Sequence, residues 1–414
     1  MKALKIFLKT SLTLVLLSII RLFKRLWKHK SFKRIFLHKD VIISRMTEKK
    51  ISFFGYYNIT PFNRKGDVLF HEALTSDVRG SLVMPVDLCL NSNNDVINFG
   101  KSLAWNWQQG CMLQWYAGSD NMVIYNDYSV ADNKYISVIQ DFLGKKTIID
   151  MPIYSVAKSG EFALSLNFDR LAIMRPDYGY FNRNQCVDDL PSDIEDGIWH
   201  VDLKLNTHKL IITLQQLKEF EPNHTMTGAQ HKVNHIDISP NGKQFMFLHR
   251  WIGPQGRFMR LFTAKSQNGD HLNLVTGNNM VSHSCWVGDT DIYSFCRVEG
   301  VKDKYAHFND TIGYVNIVGD NYFNQDGHPS VSPNGKWMLT DEYPDKTGFS
   351  KLYIFNLNNE NIIEIGKFYQ PIKYNGENRI DLHPRWSVDG KTVSIDSGHN
   401  GFRSMYTIDV SNIV

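Results

Sequence analysis

One pattern recurs along the chain and restricts its fold more than any other feature. It consists of a short β run, a tight turn of the Ser-Pro-Asn-Gly-Lys kind, and a second β run. It reads HIDISPNGKQFMFLHR from His235, HPSVSPNGKWMLTDE from His328 and HPRWSVDGKTVSIDS from His383. Weaker copies are HSCWVGDTDIYSFCR from His283, YSVAKSGEFALSLNF from Tyr154, NITPFNRKGDVLFHE from Asn58 and CMLQWYAGSDNMVIYND from Cys111. Asn-Gly and Asp-Gly between alternating β-formers mark hairpins. Most copies are followed by a third strand, an Asp or Asn turn and a fourth strand, as in KLYIFNLNNENIIEIG. Four strands per unit, repeating every 40 to 55 residues or so, are the signature of a β-propeller blade.

Seven such units account for the chain from about residue 50 onward. The expected fold is therefore all-β, a single seven-bladed β-propeller over 41–414, although length alone would suggest two or three domains. The last unit lacks a fourth strand, so residues near 41–54 are expected to close the ring. A polar, turn-rich insertion at about 174–197 lengthens the interval between the third and fourth units. Two packed β-sandwiches could use the same hairpins, but regular recurrence favours the ring.

Charge divides the chain differently. Residues 1–40 hold eleven Lys or Arg and one acid, a charge of +10, so the remainder carries −6 within the net +4. An acidic body gives no footing for nucleic acid. The apolar stretch 11–20 is too short to span a bilayer by itself, and no small-residue cleavage pattern follows it. Leu12, Val15, Leu16, Ile19, Leu22, Phe23, Leu26 and Trp27 recur at helical spacing opposite Arg21, Lys24, Arg25 and Lys28. An N-terminal amphipathic helix is expected, meeting an anionic membrane surface through residues 1–35. A tilted single-span anchor and a cleaved signal remain the other readings. The body is then expected at the cytoplasmic face of an inner membrane, with a periplasmic or secreted location as the alternative. Five cysteines, widely spaced and free of any CxxC, argue against a disulfide framework or a zinc ribbon.

Propeller topology turns sequence position into place. Residues just before the innermost strand and just after the second strand of each blade share one face around the central channel. The first set holds Gln108 or Gln109, His235, His283, His328 and His383. The second holds His71, Asn126, Asn167, Arg170, His249, Arg250, Arg297, Asp341, Glu342, Asp396 and His399. Four histidines at one repeat position in consecutive blades suggest more than core packing, although propellers also carry structural histidines there. Asp326 and Asp381 precede His328 and His383 at strand spacing, which places both side chains on one face. Imidazoles with carboxylates point to a divalent metal, manganese, calcium or zinc, held by His283, His328, His383 and Asp381. Arg170, Arg250, Arg297 and Arg403 offer forked donors for carboxylates or sulfates, so an acidic sugar suits the face better than a neutral peptide. Gln109 and Trp251 are candidate sugar contacts. Other aromatics, including Tyr56, Tyr57, Trp105, Trp115 and Tyr178, serve either stacking on sugar or packing between blades.

These residues resemble the oligogalacturonate lyase family, seven-bladed propellers that cleave uronate oligosaccharides by β-elimination. VSHSCW is similar to that family's Ser-His-x-x-Trp, which implies a metal-ligand role for His283. DLHPRWSVDGK resembles its C-terminal ligand run and implies the same for His383; Asp381 stands where the family has a second histidine. HIDISPNGKQFMFLHRWIGPQGRFMRLF resembles the blade that carries the catalytic base, which would fall on His235. The likeness is strongest over about 231–410. It implies a metal-assisted lyase on acidic oligo- or polysaccharide, with His235 as base, His249 or Tyr57 in reserve, and Arg250 beside it. Two other readings stand next to this one: a glycoside hydrolase or transferase using Asp341 and Asp396, and a non-enzymatic scaffold recruited to the membrane in surface polysaccharide assembly.

Overall fold

A computed structural model describes residues 33–48, 50–75, 84–183, 186–277 and 280–414. The leader helix expected before residue 33 lies outside the described residues. Among the described residues no helix is long and apolar enough to cross a membrane.

Seven antiparallel sheets follow one another in chain order. Blade 1 holds strands Ile51–Phe53, Val68–Ala73, Val86–Ser92 and Asp95–Ser102, and blade 4 holds Gln230–Ile238, Gln244–Gly253, Gly256–Lys265 and Asn273–Thr276. The repeated turn explains the repeated hairpin. Asn241, Asn334 and Asp389 each accept from a serine hydroxyl two residues back and from the backbone N–H two residues on. The following Gly242, Gly335 and Gly390 all take φ near +70°, which a side chain resists.

The ring closes as expected, with one addition. Ile42–Arg45 pairs with Ser404–Asp409 and supplies the missing outer strand of blade 7. Ile35–Leu37, inside the segment read as leader, pairs with Ile362–Tyr369 and makes a fifth strand on blade 6. The apolar core lies between blades, not within them; one cluster joins Leu339, Leu352 and Ile354 of blade 6 to Val393, Ile395 and Ile408 of blade 7. Tryptophans tie inner strands to the neighbouring blade: Trp115 donates to Pro61 O, Trp286 to Asp237 O and Trp386 to Ser330 O. Cys89, Cys111, Cys285 and Cys296 are buried and free, as small apolar side chains would be.

The first unit differs from the sequence reading. Its inner strand is Ile51–Phe53, not a run beginning at Asn58. Residues 54–60 instead cross the central channel. Asp396 of blade 7 accepts from Phe54 N, Tyr57 donates to Ser284 O of blade 5, Asn58 donates to Asp237 of blade 4, and Thr60 returns to Trp386 O. Tyr56 and Tyr57 are 2% and 4% exposed, and the void left beside them is about 10 Å³, space for about one water. The channel is plugged.

Candidate functional site

Above the plug, blades 4 to 7 each contribute one histidine. His235 and His283 sit where the inner-strand pairing slips, between Asn234 and Asp237 and between Val281 and Ser284. A bulge of this kind re-aims a side chain that regular pleating would send elsewhere. His235 and His383 have φ of +52° and +44°, a left-handed conformation that costs a non-glycine residue roughly 1–2 kcal/mol. Backbone strain of this kind clusters at ligand sites and persists only where the surrounding structure holds it. Ring centroids are 4.1 Å apart for His283 and His328, 4.4 Å for His328 and His383, and 5.8 Å for His235 and His283. The plug tyrosines form the floor: Tyr56 meets His235 and His383, and Tyr57 meets His283 and His328.

His328, Asp381 and His383 form the tightest group, with one ligand atom from each lying within 4.8 Å of the others. His328 directs Nδ1 to Asp341 at 2.8 Å. Its Nε2, and that of His383, are buried without a hydrogen-bond partner. Two orphaned imidazole nitrogens beside a carboxylate suit a divalent cation, since buried polar atoms otherwise find partners. Asp341 and Asp326 hold the outer nitrogens of His328 and His283, the support that metal-binding histidines ordinarily receive. Burial, then the neighbouring His328, holds His383 well below the usual histidine range. Burial also lowers His283 against the pull of Asp326, whereas at His328 burial is outweighed by Asp341 together with Asp381 and Asp326 and the imidazole is raised. Gly327 lets the backbone approach this closely: a Cβ there would lie 1.8 Å from Asp341 O.

His235 faces a different set of partners. Tyr56 Oη lies 2.5 Å from its Nδ1, and Tyr154 Oη accepts from its backbone N–H while Gln109 donates to the same hydroxyl. Burial, followed by the charge of Arg250, keeps His235 well below the ordinary range and therefore neutral at pH 7. The insertion leans over this side. Tyr178 packs edge-on against His235, Arg175 covers Tyr178, and Arg379 joins Asp177 of the insertion to Asp381. A cleft of about 560 Å³ opens beside the cluster, lined by Arg175, Arg250, Ser282, His283, Asp326 and Tyr343 among others.

The structure thus brings together His235, His283, His328, His383, Asp381 and Arg250. Other residues singled out in the sequence are engaged elsewhere. His249 adjoins Arg250, so strand alternation turns it to the opposite face; there it contacts His231 at 2.9 Å, stacks on its ring and meets the tilted ring of Trp251, whose Nε1 donates to Thr225. Tyr57 Oη both donates to Ser284 O and accepts from Ser284 N. Arg170 is buried against Asp196 at 2.5 Å and ties the two ends of the insertion. Arg297 is exposed, paired with Asp303 at the outer rim of the cleft. Arg403 is buried against Trp107 and donates to Asn378 O and Arg379 O. Gln109 supports Tyr154 from behind. Two residues of the site were not assigned a chemical role from sequence: Tyr56, and Lys232, which is buried beside Arg250.

No protein-family model matches the chain, and no curated protein matches it by sequence. Solved structures do. An oligogalacturonate lyase from Vibrio parahaemolyticus aligns with a TM-score of 0.62 at 14% identity, over 91% of this chain and 96% of that one. The fold is shared with the oligogalacturonate lyases. A second such lyase, solved in complex with manganese, aligns with a TM-score of 0.63 at 14% identity, over 91% of this chain and 95% of that one. A puromycin-hydrolysing peptidase from Mycobacterium tuberculosis aligns less well, with a TM-score of 0.49 at 10% identity, over 89% of this chain and 52% of that one. At such identities the likeness is one of architecture, and chemistry has to be argued from the side chains.

Proposed function

We propose that the chain is a metal-assisted lyase that cleaves uronate-containing oligosaccharides by β-elimination. The observation that carries this reading is the pair of buried, unbonded Nε2 atoms of His328 and His383 beside the Asp381 carboxylate. These three residues, with His283 in ring contact, would hold a divalent ion. Two imidazoles and a carboxylate suit manganese or zinc better than calcium, which prefers oxygen ligands alone. When bound, such an ion withdraws electron density from a uronate carboxylate and acidifies the adjacent C5 proton.

His235 takes that proton. The tautomer in which Nδ1–H donates to Tyr56 Oη leaves the Nε2 lone pair free, and the depressed pKa keeps it unprotonated. The C5–H electron pair becomes the C4–C5 double bond, the C4–O bond breaks, and the departing oxygen takes up a proton. Arg250 faces the accumulating negative charge from the cleft. The shared fold of two oligogalacturonate lyases, one in complex with manganese, supports this assignment. A hydrolase would require two free carboxylates. Asp341 is bound to His328, and Asp396 to Arg385 and the plug backbone.

Incubation of the purified protein with oligogalacturonate and manganese should raise the ultraviolet absorbance of an unsaturated uronate. His235→Ala should slow that rise by about 10²- to 10⁴-fold with metal content unchanged. No absorbance on any uronate polymer, with manganese or zinc supplied, would overturn the reading.

For the leader we propose adhesion to an anionic membrane surface. The +10 charge of residues 1–40 supports this. The full chain should co-sediment with phosphatidylglycerol vesicles and a chain lacking residues 1–32 should not.

A further inference from the structure

A second cleft, also about 560 Å³ in volume, opens between the hairpin turns of blades 3 and 4. It shares no lining residue with the cleft beside the histidines. Lys158 of the blade 3 turn, Lys243 of the blade 4 turn, and Lys265 and Ser266 of the next turn of blade 4 line it. Among the described residues no carboxylate pairs with these three lysines, and Glu161, the acid in the lining, is taken by Lys204 at 2.8 Å. One lysine at such a turn is an ordinary solvated charge; the repeat also has Lys336 in blade 6 and Lys391 in blade 7.

Blade 4 departs from the repeat at one backbone position. The same bond runs from Leu203 N to Glu161 O in blade 3, Ser266 N to Lys243 O in blade 4, Leu357 N to Lys336 O in blade 6 and Val410 N to Lys391 O in blade 7. Three of these four donors carry an apolar side chain. Blade 4 has a serine there, 2% exposed, whose Oγ has no hydrogen-bond partner. A hydroxyl buried in that way is unfavourable until a ligand supplies an acceptor. The preceding position is Asp409 in blade 7, close to Lys391, and Lys265 in blade 4, in the cleft with Lys243. A turn that balances its charge in blade 7 accumulates charge in blade 4.

We infer that Lys158, Lys243, Lys265 and Ser266 form a phosphate site, taking a ligand that carries a phosphate ester. Ammonium groups gather as point charges around a multiply charged anion, whereas a carboxylate is better met by the arginine fork. The Ser266 hydroxyl adds a donor. The cleft has room beyond the phosphate, and Phe162, half-buried and stacked on His200, offers an apolar wall to the remainder of the ligand. None of this depends on the lyase reading.

Pyrophosphate is titrated calorimetrically into the full chain with EDTA present, so that no metal at the histidine cluster recruits it. Binding is expected, and should weaken as salt rises. Lys158→Gln, Lys243→Gln and Lys265→Gln together should weaken it by about 30-fold or more. Lys65→Gln, Lys336→Gln and Lys391→Gln, which remove the same charge from turns of other blades, should leave it within about twofold. Ser266→Leu, which matches the leucine of blades 3 and 6, should weaken binding by about three- to tenfold while keeping or raising the melting point. A merely structural serine would leave binding unchanged. Sedimentation with vesicles of phosphatidic acid and of phosphatidylglycerol separates the sources of the phosphate. A preference for phosphatidic acid that the Lys158/Lys243/Lys265 variant loses assigns a lipid headgroup; equal sedimentation of both proteins with both vesicles assigns a soluble ester. No pyrophosphate binding, an unchanged affinity in either site variant, or an equal loss in the Lys65/Lys336/Lys391 variant overturns the inference.

Discussion

Asp341 takes the Nδ1 of His328 at 2.8 Å, and that bond decides which imidazole nitrogen is left for the cluster. The same carboxylate accepts the His328 backbone N–H at 2.7 Å, so ring and backbone are fixed together. Asp341→Asn retains the shape but offers an N–H as readily as an oxygen, which frees the ring to flip or to change tautomer. Manganese affinity, measured by calorimetry, should fall by about 10- to 100-fold, the usual effect of losing such a support. An unchanged affinity would remove His328 from the ligand set.

Asp237 gives the fold a pH dependence of unusual sign. Burial beside the plug pushes its carboxyl up to about 7, although Asn58 donates to it. An unfolded aspartate releases its proton near 3.9. Between those values the folded state holds the proton and the unfolded state does not, so stability from this group declines as pH rises from about 4 to 7. Asp237→Asn should flatten that decline, gaining about 1–2 kcal/mol at pH 8 relative to wild type and nothing at pH 4. Denaturant unfolding at the two pH values checks it.

Arg170 and Asp196 meet at 2.5 Å with both side chains buried, and Asp196 also accepts from Asn167 and Gly197. Asp196→Ala leaves a buried guanidinium with only the more distant Asp193 as counter-charge, a loss of about 3 kcal/mol. A lower thermal midpoint and faster proteolysis between residues 175 and 195 are expected. Cleavage elsewhere first would mean that the insertion is anchored by other contacts.

The blades were legible because their turn has a chemical requirement. In blades 4, 6 and 7 Asn or Asp followed by Gly satisfies it, and the turn recurs with the period of the fold. The histidines were legible for the same reason, since they stand at one position of that repeat. Tyr56 was not, because a segment crossing a channel has no period and its partners lie in blades 4, 5 and 7. Lys232 reads in sequence as one polar residue on an alternating strand, and nothing local reveals that its face is turned inward. Arg170 carries the signature of a ligand-binding arginine until Asp196 is brought against it by folding. Ile35–Leu37 is hidden by the basic residues around it, although its strand pairing is ordinary.

The plug at residues 54–60 changes what kind of object the ring is. A propeller with an open axle has two doors; this one has a single mouth with a tyrosine floor. On the proposed lyase reading, reactant and product pass by the same opening, one after the other. A long polymer cannot be threaded through and held for successive cuts. It can only be dipped end-first or laid across, and every product must leave before the next chain arrives.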